Sequence, residues 1–259
     1  MRVLDRAVIL FLNLCLFLGG ILAPALLIAR TPAYYHYEFE KNGIYSRIDE
    51  DGTEWRRRVY YVGGDYRQSA LFSDEQLDAI VDHIVTFLFE GGESFALTMD
   101  GVLLNGEMTD GVAVFGEAAV THMADVRDLM TLGRVATVVA AVSAPLCLAY
   151  LLWRRRECGG AALRYTAVFY GLLLLAAGAF CLWTLLSGGD FLSAFWHNAH
   201  HLFFPFQPDK VEGSFFNDTL TYVLTIDLFL DATAIVLLTV VALLAAWLTV
   251  AVLLRRRAK

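Results

Sequence analysis

Residues 132–164 read LGRVATVVAAVSAPLCLAYLLWRRRECGGAALR, and this stretch sets the architecture. Its first part, Leu132 to Trp153, is an apolar run long enough to cross the hydrocarbon core of a bilayer, which takes about 20 residues of helix. It ends at Arg154, Arg155 and Arg156, and a second apolar run, Ala162 to Leu186, begins almost at once, with Arg164 at its start. Two spans joined by a short arginine-rich turn form a membrane hairpin whose turn faces the cytoplasm, because basic residues are retained on that side. Outward from this hairpin lie two more runs of the same kind, roughly Ala7 to Ile28 and Leu228 to Leu254. Arg2 and Arg6 precede the first, and Arg255, Arg256, Arg257 and Lys259 follow the last. Three basic clusters and four spans agree on one topology, with the N and C termini both cytoplasmic.

The composition points the same way. The chain is 58% hydrophobic with a mean hydropathy of +0.55, too apolar for an ordinary soluble domain. The first run could be read as a signal peptide, with Ala23-Pro24-Ala25 as a cleavage look-alike, but it exceeds the roughly 7–15 residues of a signal core. We read it as a retained span. Charge is unevenly placed: residues 30–131 hold 8 Lys+Arg and 19 Asp+Glu, a net of −11. An acidic module lacks the basic footprint that nucleic acid requires, so no nucleic-acid partner is expected. The cysteines are Cys15, Cys147, Cys158 and Cys181, none of them in an outer segment, so no disulfide is expected there.

The expected fold class is therefore a membrane all-α protein of four transmembrane helices, with a small α+β extracytoplasmic cap between spans 1 and 2. Its parts are helix 1 (1–29), the cap (30–131), helices 2 and 3 with their basic loop (132–186), an aromatic outer loop (187–227) and helix 4 with a basic tail (228–259).

Within the cap, Tyr34, Tyr35, Tyr37 and Phe39 mark a membrane interface. Arg57 to Val62 reads as a strand. Ser73 with Gln76 reads as a capping box opening a helix, whose apolar face is Leu77, Ile80, Val81, Ile84, Phe87 and Leu88. Phe95 to Leu104 reads as a hairpin about Asp100-Gly101. Asp110-Gly111 starts another turn before a short strand at 112–115, and from Glu117 a helix runs into span two. The aromatic loop carries Phe191, Phe195, Trp196, Phe203 and Phe204, and Pro205 should end any helix there.

Two histidine motifs stand at the outer mouths of spans. His122 and Asp125 are three apart, so a helix places them on one face, where a carboxylate can fix the imidazole tautomer and raise its basicity. The plain alternative is a solvated helix end. His197, His200 and His201 lie within five residues, and histidines at helical spacing can hold zinc, although neither the HExxH pattern nor an outer cysteine accompanies them. An interfacial cluster without chemistry is the other reading. Asp190, Asp218, Asp227 and Asp231 flank span ends, and Asp218, just before Thr219-Leu220, reads as a helix cap. The chain has no serine nucleophile elbow or phosphate-binding loop in the required context.

Taken in order, Glu117, His122-Met123 and Asp125-Val126-Arg127 match E-x4-H-M-x-D-V-[KR]. His200 to Phe204 resembles H-x-[IL]-F-F, and Asp218, Leu220, Leu224, Phe229 and Asp231 follow D-x-L-x3-L-x4-F-x-D. The chain thus resembles the four-span bacterial lipoprotein intramolecular transacylases over most of its length. The resemblance implies an enzyme that moves the sn-2 acyl chain of a lipoprotein's S-diacylglyceryl cysteine to that cysteine's α-amine. It needs no cofactor, no metal and no second lipid. Its partners would be diacylglyceryl-modified lipoproteins and membrane lipid, and its place the bacterial plasma membrane, with the site at the outer face. His122 and His200 map onto the family's two catalytic histidines, with Asp125, Glu117, Arg127, His201 and His197 in support. The chain departs from the family at Pro205-Phe206-Gln207, where a tryptophan is expected, at Thr225 in place of a proline, and in the extra His197 and His201. Two other classes remain open at this point: a non-catalytic lipid- or lipoprotein-binding membrane protein, and a metal-dependent membrane hydrolase.

Overall fold

The computed structural model describes residues 2–203 and 219–256. Four of its helices are long and apolar enough to cross a membrane: α1 (Val3–Ala29), α4 (Glu117–Trp153), the Gly160–Leu186 part of α5 (Arg155–Leu186), and α8 (Ile226–Arg256). The chain divides into two compact units. One is built from residues 1–25, 133–205 and 234–259, the other from 26–132 and 206–233.

The second unit is a small α+β assembly. After α1 comes α2 (Pro32–Lys41), then the short strands β1 (Arg47–Ile48), β2 (Glu54–Trp55), β3 (Val59–Tyr60) and β4 (Ser69–Leu71). Helix α3 (Asp74–Phe89) follows, then β5 (Thr98–Met99), β6 (Val102–Leu104), β7 (Glu107–Thr109) and β8 (Val112–Ala113). All pairings are antiparallel: β1 with β2, β5 with β8, and a sheet in the order β3-β4-β6-β7.

Helix α3 starts as its sequence dictates. Ser73 Oγ accepts from the Gln76 amide at 3.2 Å, and Gln76 Oε1 accepts from the Ser73 amide at 2.9 Å. All six apolar positions at helical spacing, Leu77 through Leu88, are buried. They share a core with Phe39, Val59, Phe95, Val102 and Phe115, and with Ala119 and Met123 from the first turns of α4. Leu220 and Val223 of α7 (Thr219–Val223) and Leu228 of α8 complete it, so this unit draws on chain well beyond residue 131.

Two expectations are corrected here. The strand read over 57–62 is confined to Val59–Tyr60, because Tyr61 turns into the left-handed region (φ 59°). The Asp100-Gly101 corner does not close a hairpin, since β5 and β6 on either side belong to different sheets. Its carboxylate instead accepts from the Gly111 amide at 2.8 Å, while Asp110 accepts from the Gly101 amide at 2.9 Å, tying the two corners together. The paired hairpin is β6–β7, closed by Asn105-Gly106 with φ of 50° and 93°, the geometry that tight hairpins need and that Asn-Gly adopts readily.

In the first unit, Ile9, Leu12, Leu151, Cys158, Ala162, Trp247 and Ala251 form a core among the spans. Small and polar residues set its contacts. A Cβ on Gly20 of α1 would lie 3.2 Å from Leu243 Cδ1 and Val240 Cγ2 of α8, a tight contact that the bare glycine avoids. Trp247 Nε1 donates to Thr166 Oγ1 at 2.8 Å. Buried Asp5 accepts from Tyr150 OH at 2.8 Å and lies 3.5 Å from Arg154 Nε. The four cysteines are free thiols.

Candidate active site

Glu117 opens α4 and is exposed. Ala119 and Met123 pack into the cap core, and His122, between them in sequence, is 7% exposed. That helix start is therefore held by packing rather than left in solvent. Asp125, one turn on, has Oδ2 buried with no hydrogen-bond partner among the described residues. A buried carboxylate oxygen without a partner is costly, and such groups concentrate where chemistry needs an acceptor. Arg127 is committed elsewhere: Nη1 donates to the Gly92 carbonyl at 2.6 Å, and the guanidinium lies 4.5 Å from the Phe87 ring centroid. It clamps the C-terminal end of α3 and so supports the position of the His122 turn.

The second motif lies on α6 (Phe191–Phe203), in the other unit. Gly188 and Gly189, both at φ near 80°, turn the chain sharply after α5. Asp190 then caps α6, its Oδ2 accepting from the Ser193 amide at 3.0 Å. Asn198 is buried, and its Nδ2 faces Thr184 Oγ1 at 3.4 Å and Ser187 Oγ at 3.3 Å, pinning α6 to the end of α5. Phe195 adds an edge contact to Phe180 at 5.4 Å between centroids.

His197 and His201 face each other, Nε2 to Nε2 at 2.9 Å, so one ring must donate while the other accepts. His200, one residue before His201 and three after His197, is half-buried. Among the described residues, no three His, Cys, Asp or Glu side chains are gathered to hold a metal. Phe204, Pro205 and Asp218 of the sequence motifs lie outside the described residues.

Asn198 was not singled out from sequence, although a polar residue between two histidines on an otherwise apolar helix was a usable signal. Glu38 was also missed. It is 1% exposed on α2, with Oε2 accepting from Asn42 Nδ2 at 3.0 Å and Lys41 Nζ 3.8 Å away. Tyr35, Glu38 and Phe39 all turn inward, which is helical spacing with a carboxylate in the middle.

Four membrane-crossing helices, together with a sheet-bearing unit whose core seats a buried histidine, define an integral membrane protein. A family model described as lipoprotein intramolecular transacylase Lit matches residues 9–209, and the chain belongs to that family. The match takes in the Glu117–Arg127 and His200 motifs and stops short of the third. Solved structures of lipoprotein intramolecular transacylase Lit from Bacillus cereus share the fold. One aligns with a TM-score of 0.59 at 13% identity, covering 98% of this chain and 97% of that one. A variant of the same protein with a histidine replaced by alanine gives 0.54 at 13% identity, covering 98% and 94%. No curated protein matches the chain.

Proposed function

We propose that this protein transfers the sn-2 acyl chain of a lipoprotein's S-diacylglyceryl cysteine to that cysteine's own α-amine, at the outer face of the bacterial plasma membrane. The observation that carries the reading is the family match across residues 9–209, which includes His122 and His200. The buried setting of His122 above a carboxylate with an unpartnered oxygen supports it.

The chemistry suits two imidazoles. An α-amine is mostly protonated at neutral pH and must lose a proton before it attacks. His122, sharing a helix face with Asp125, takes that proton as the nitrogen adds to the ester carbonyl. His200 stabilises the resulting oxyanion and returns a proton to the glycerol oxygen as the C–O bond breaks. One N–C bond replaces one O–C bond; of the two protons the ammonium loses, one is balanced by the proton delivered to the glycerol oxygen and the other goes to solvent. Nucleophile and ester belong to one molecule, so holding them together contributes much of the rate.

The product is an isomer of the substrate, so intact mass does not report the reaction. The test is tandem mass spectrometry of a lipoprotein N-terminus from a host lacking N-acylation. With the wild-type protein, the acyl group should appear on nitrogen and the glycerol should carry one chain. His122→Ala and His200→Ala should each lower conversion by about 10²–10⁴-fold. A free amine after exposure to the wild-type protein would overturn the proposal. Full activity in either variant would overturn the assignment of that histidine.

A further inference from the structure

We propose that the Trp55–Arg58 edge of the sheet-bearing unit binds the anionic phosphate headgroups of the phospholipid leaflet at the start of the fourth span. Arg56, Arg57 and Arg58 are three of only eight basic residues in the acidic stretch 30–131, and all three are exposed. Arg47, also exposed, pairs directly across β1–β2 from Trp55 and shares its face. The acidic turn Asp49–Asp51 closes the same short hairpin, and two carboxylates face the run at Arg56: Glu54, 2.9 Å away in an exposed contact, and the exposed Glu75.

What places this basic edge is its attachment to the chain leading into α8. Strand β3 lies against α7. The Arg57 guanidinium is 5.3 Å from the Tyr222 ring centroid, and Tyr222 OH donates to the Arg57 carbonyl at 3.4 Å. Tyr222 stands four residues before Ile226, where α8 begins. With 31 residues, α8 is about 46 Å long, close to the roughly 40–45 Å of a bilayer with both headgroup layers. Its last turn holds Arg255 and Arg256, which belong in one headgroup layer, so its first turn reaches the other. Helix α2 is fastened at the same level, through Tyr34 OH to the Leu228 carbonyl at 2.7 Å and Lys41 to Asp231.

The side chains fit that layer. Trp55 and Tyr60 are 61% and 60% exposed, and such rings are enriched where apolar and wet environments meet. Arginine engages phosphate oxygens in pairs of hydrogen bonds, and the exposed contacts of Arg56 Nε with Glu54 and of Arg58 Nη1 with Ser69 Oγ use one donor of each guanidinium. A diacylglyceryl cysteine carries no phosphate, so the ligand is surrounding phospholipid rather than substrate. The contact would keep the sheet-bearing unit seated on the leaflet.

The test uses the full chain in nanodiscs of phosphatidylcholine, alone or mixed with phosphatidylglycerol, each doped with headgroup spin-labelled lipid. The Trp55 signal is the difference in emission between the wild-type protein and Trp55→Phe. It should be quenched by the headgroup label, more strongly with phosphatidylglycerol, and the gain should be lost in high salt and in the Arg56→Gln/Arg57→Gln/Arg58→Gln variant. Trp55 emission untouched by the label, or equal in the two lipid mixtures, would overturn the proposal from the wild-type protein alone. Retention of the phosphatidylglycerol gain in the folded triple variant would overturn the role of the arginines.

Discussion

Phe95 and Leu174 are both large and apolar, yet Phe95 is 1% exposed in the sheet-bearing unit while Leu174 is 74% exposed on α5. The first is surrounded by Phe87, Phe115 and His83, with the Phe115 centroid 4.4 Å away. The second belongs to a span whose most apolar window is only 6% buried. The difference follows from the solvent. In water, burying apolar area drives the core together, whereas lipid tails are as apolar as leucine and give spans no such drive. The sheet-bearing unit therefore holds the His122 turn by packing Ala119 and Met123 into its core, with the Arg127 clamp beside it. Helix α6 is held instead by Asn198 and its two hydroxyl partners, and the spans by glycine contact and a few polar bonds.

The contrast can be broken with paired substitutions. Phe95→Ala should cost the sheet-bearing unit about 3–5 kcal/mol, through lost transfer energy and the cavity left between rings. Leu174→Ala should cost less than about 1 kcal/mol, because the side chain exchanges lipid contact for lipid contact. Denaturant unfolding in detergent micelles checks both. Equal losses would mean that α5 buries Leu174 against protein.

A smaller effect sharpens the other half. Gly20→Val should destabilise the span bundle by about 1–3 kcal/mol, since its side chain meets Val240 and Leu243 at the helix contact. The same change at Gly171, where an added Cβ meets nothing within 4 Å, should be close to neutral. Thermal unfolding of the purified variants measures the difference, and a harmless Gly20→Val would remove the close-contact account of α1 against α8.

The same physics decides what could be read in advance. The spans were legible because a membrane helix needs an unbroken apolar run, and Val3–Ala29, Glu117–Trp153, Gly160–Leu186 and Ile226–Arg256 contain the expected runs. Ser73 and Gln76 announced α3, because a capping box is a local pattern with a local cause. The strands were legible only in part: the ranges 57–62 and 112–115 contain Val59–Tyr60 and Val112–Ala113, but their ends and pairings were not legible. They are two or three residues long, too short for alternation to register, and their pairing is set by contacts distant in sequence. Asp100-Gly101 and Asn105-Gly106 offer the same turn signal five residues apart, and only the cross-linking of Asp100 and Asp110 to each other's glycines separates them. Helix α2 was hidden because Glu38 interrupts its apolar face. Of the candidate site, the motifs identified His122 and His200, but the packing of His122, the clamp made by Arg127 and the pairing of His197 with His201 depend on three-dimensional neighbours.

The smallest effect at neutral pH concerns tyrosines in the sheet-bearing unit and becomes visible only in alkali. Burial pushes the hydroxyls of Tyr34 and Tyr222 up to about 12, with the Glu38 charge adding to the rise at Tyr34 and Arg57 opposing it at Tyr222. A phenol whose proton is held more tightly when folded stabilises the fold fully below its ordinary value near 10 and loses that contribution as pH climbs through about 12. The unfolded chain binds fewer protons than the folded one across this window, so stability must fall with rising pH. Phenolate absorbance from these two rings should therefore lag behind the ordinary tyrosine transition near 10 and rise together with the unfolding of the sheet-bearing unit. Far-ultraviolet circular dichroism should still show the spans as helix at that point, because their backbone bonds are satisfied within each helix and lipid offers no alternative partner. Tyr34→Phe with Tyr222→Phe should shrink the delayed phase and leave the part carried by Tyr35 and Tyr45, whose hydroxyls burial raises further. If the delayed phase is undiminished in that double variant, these two rings do not contribute to it; if helicity and the sheet-bearing unit are lost together, the two units do not differ in the way their solvents require.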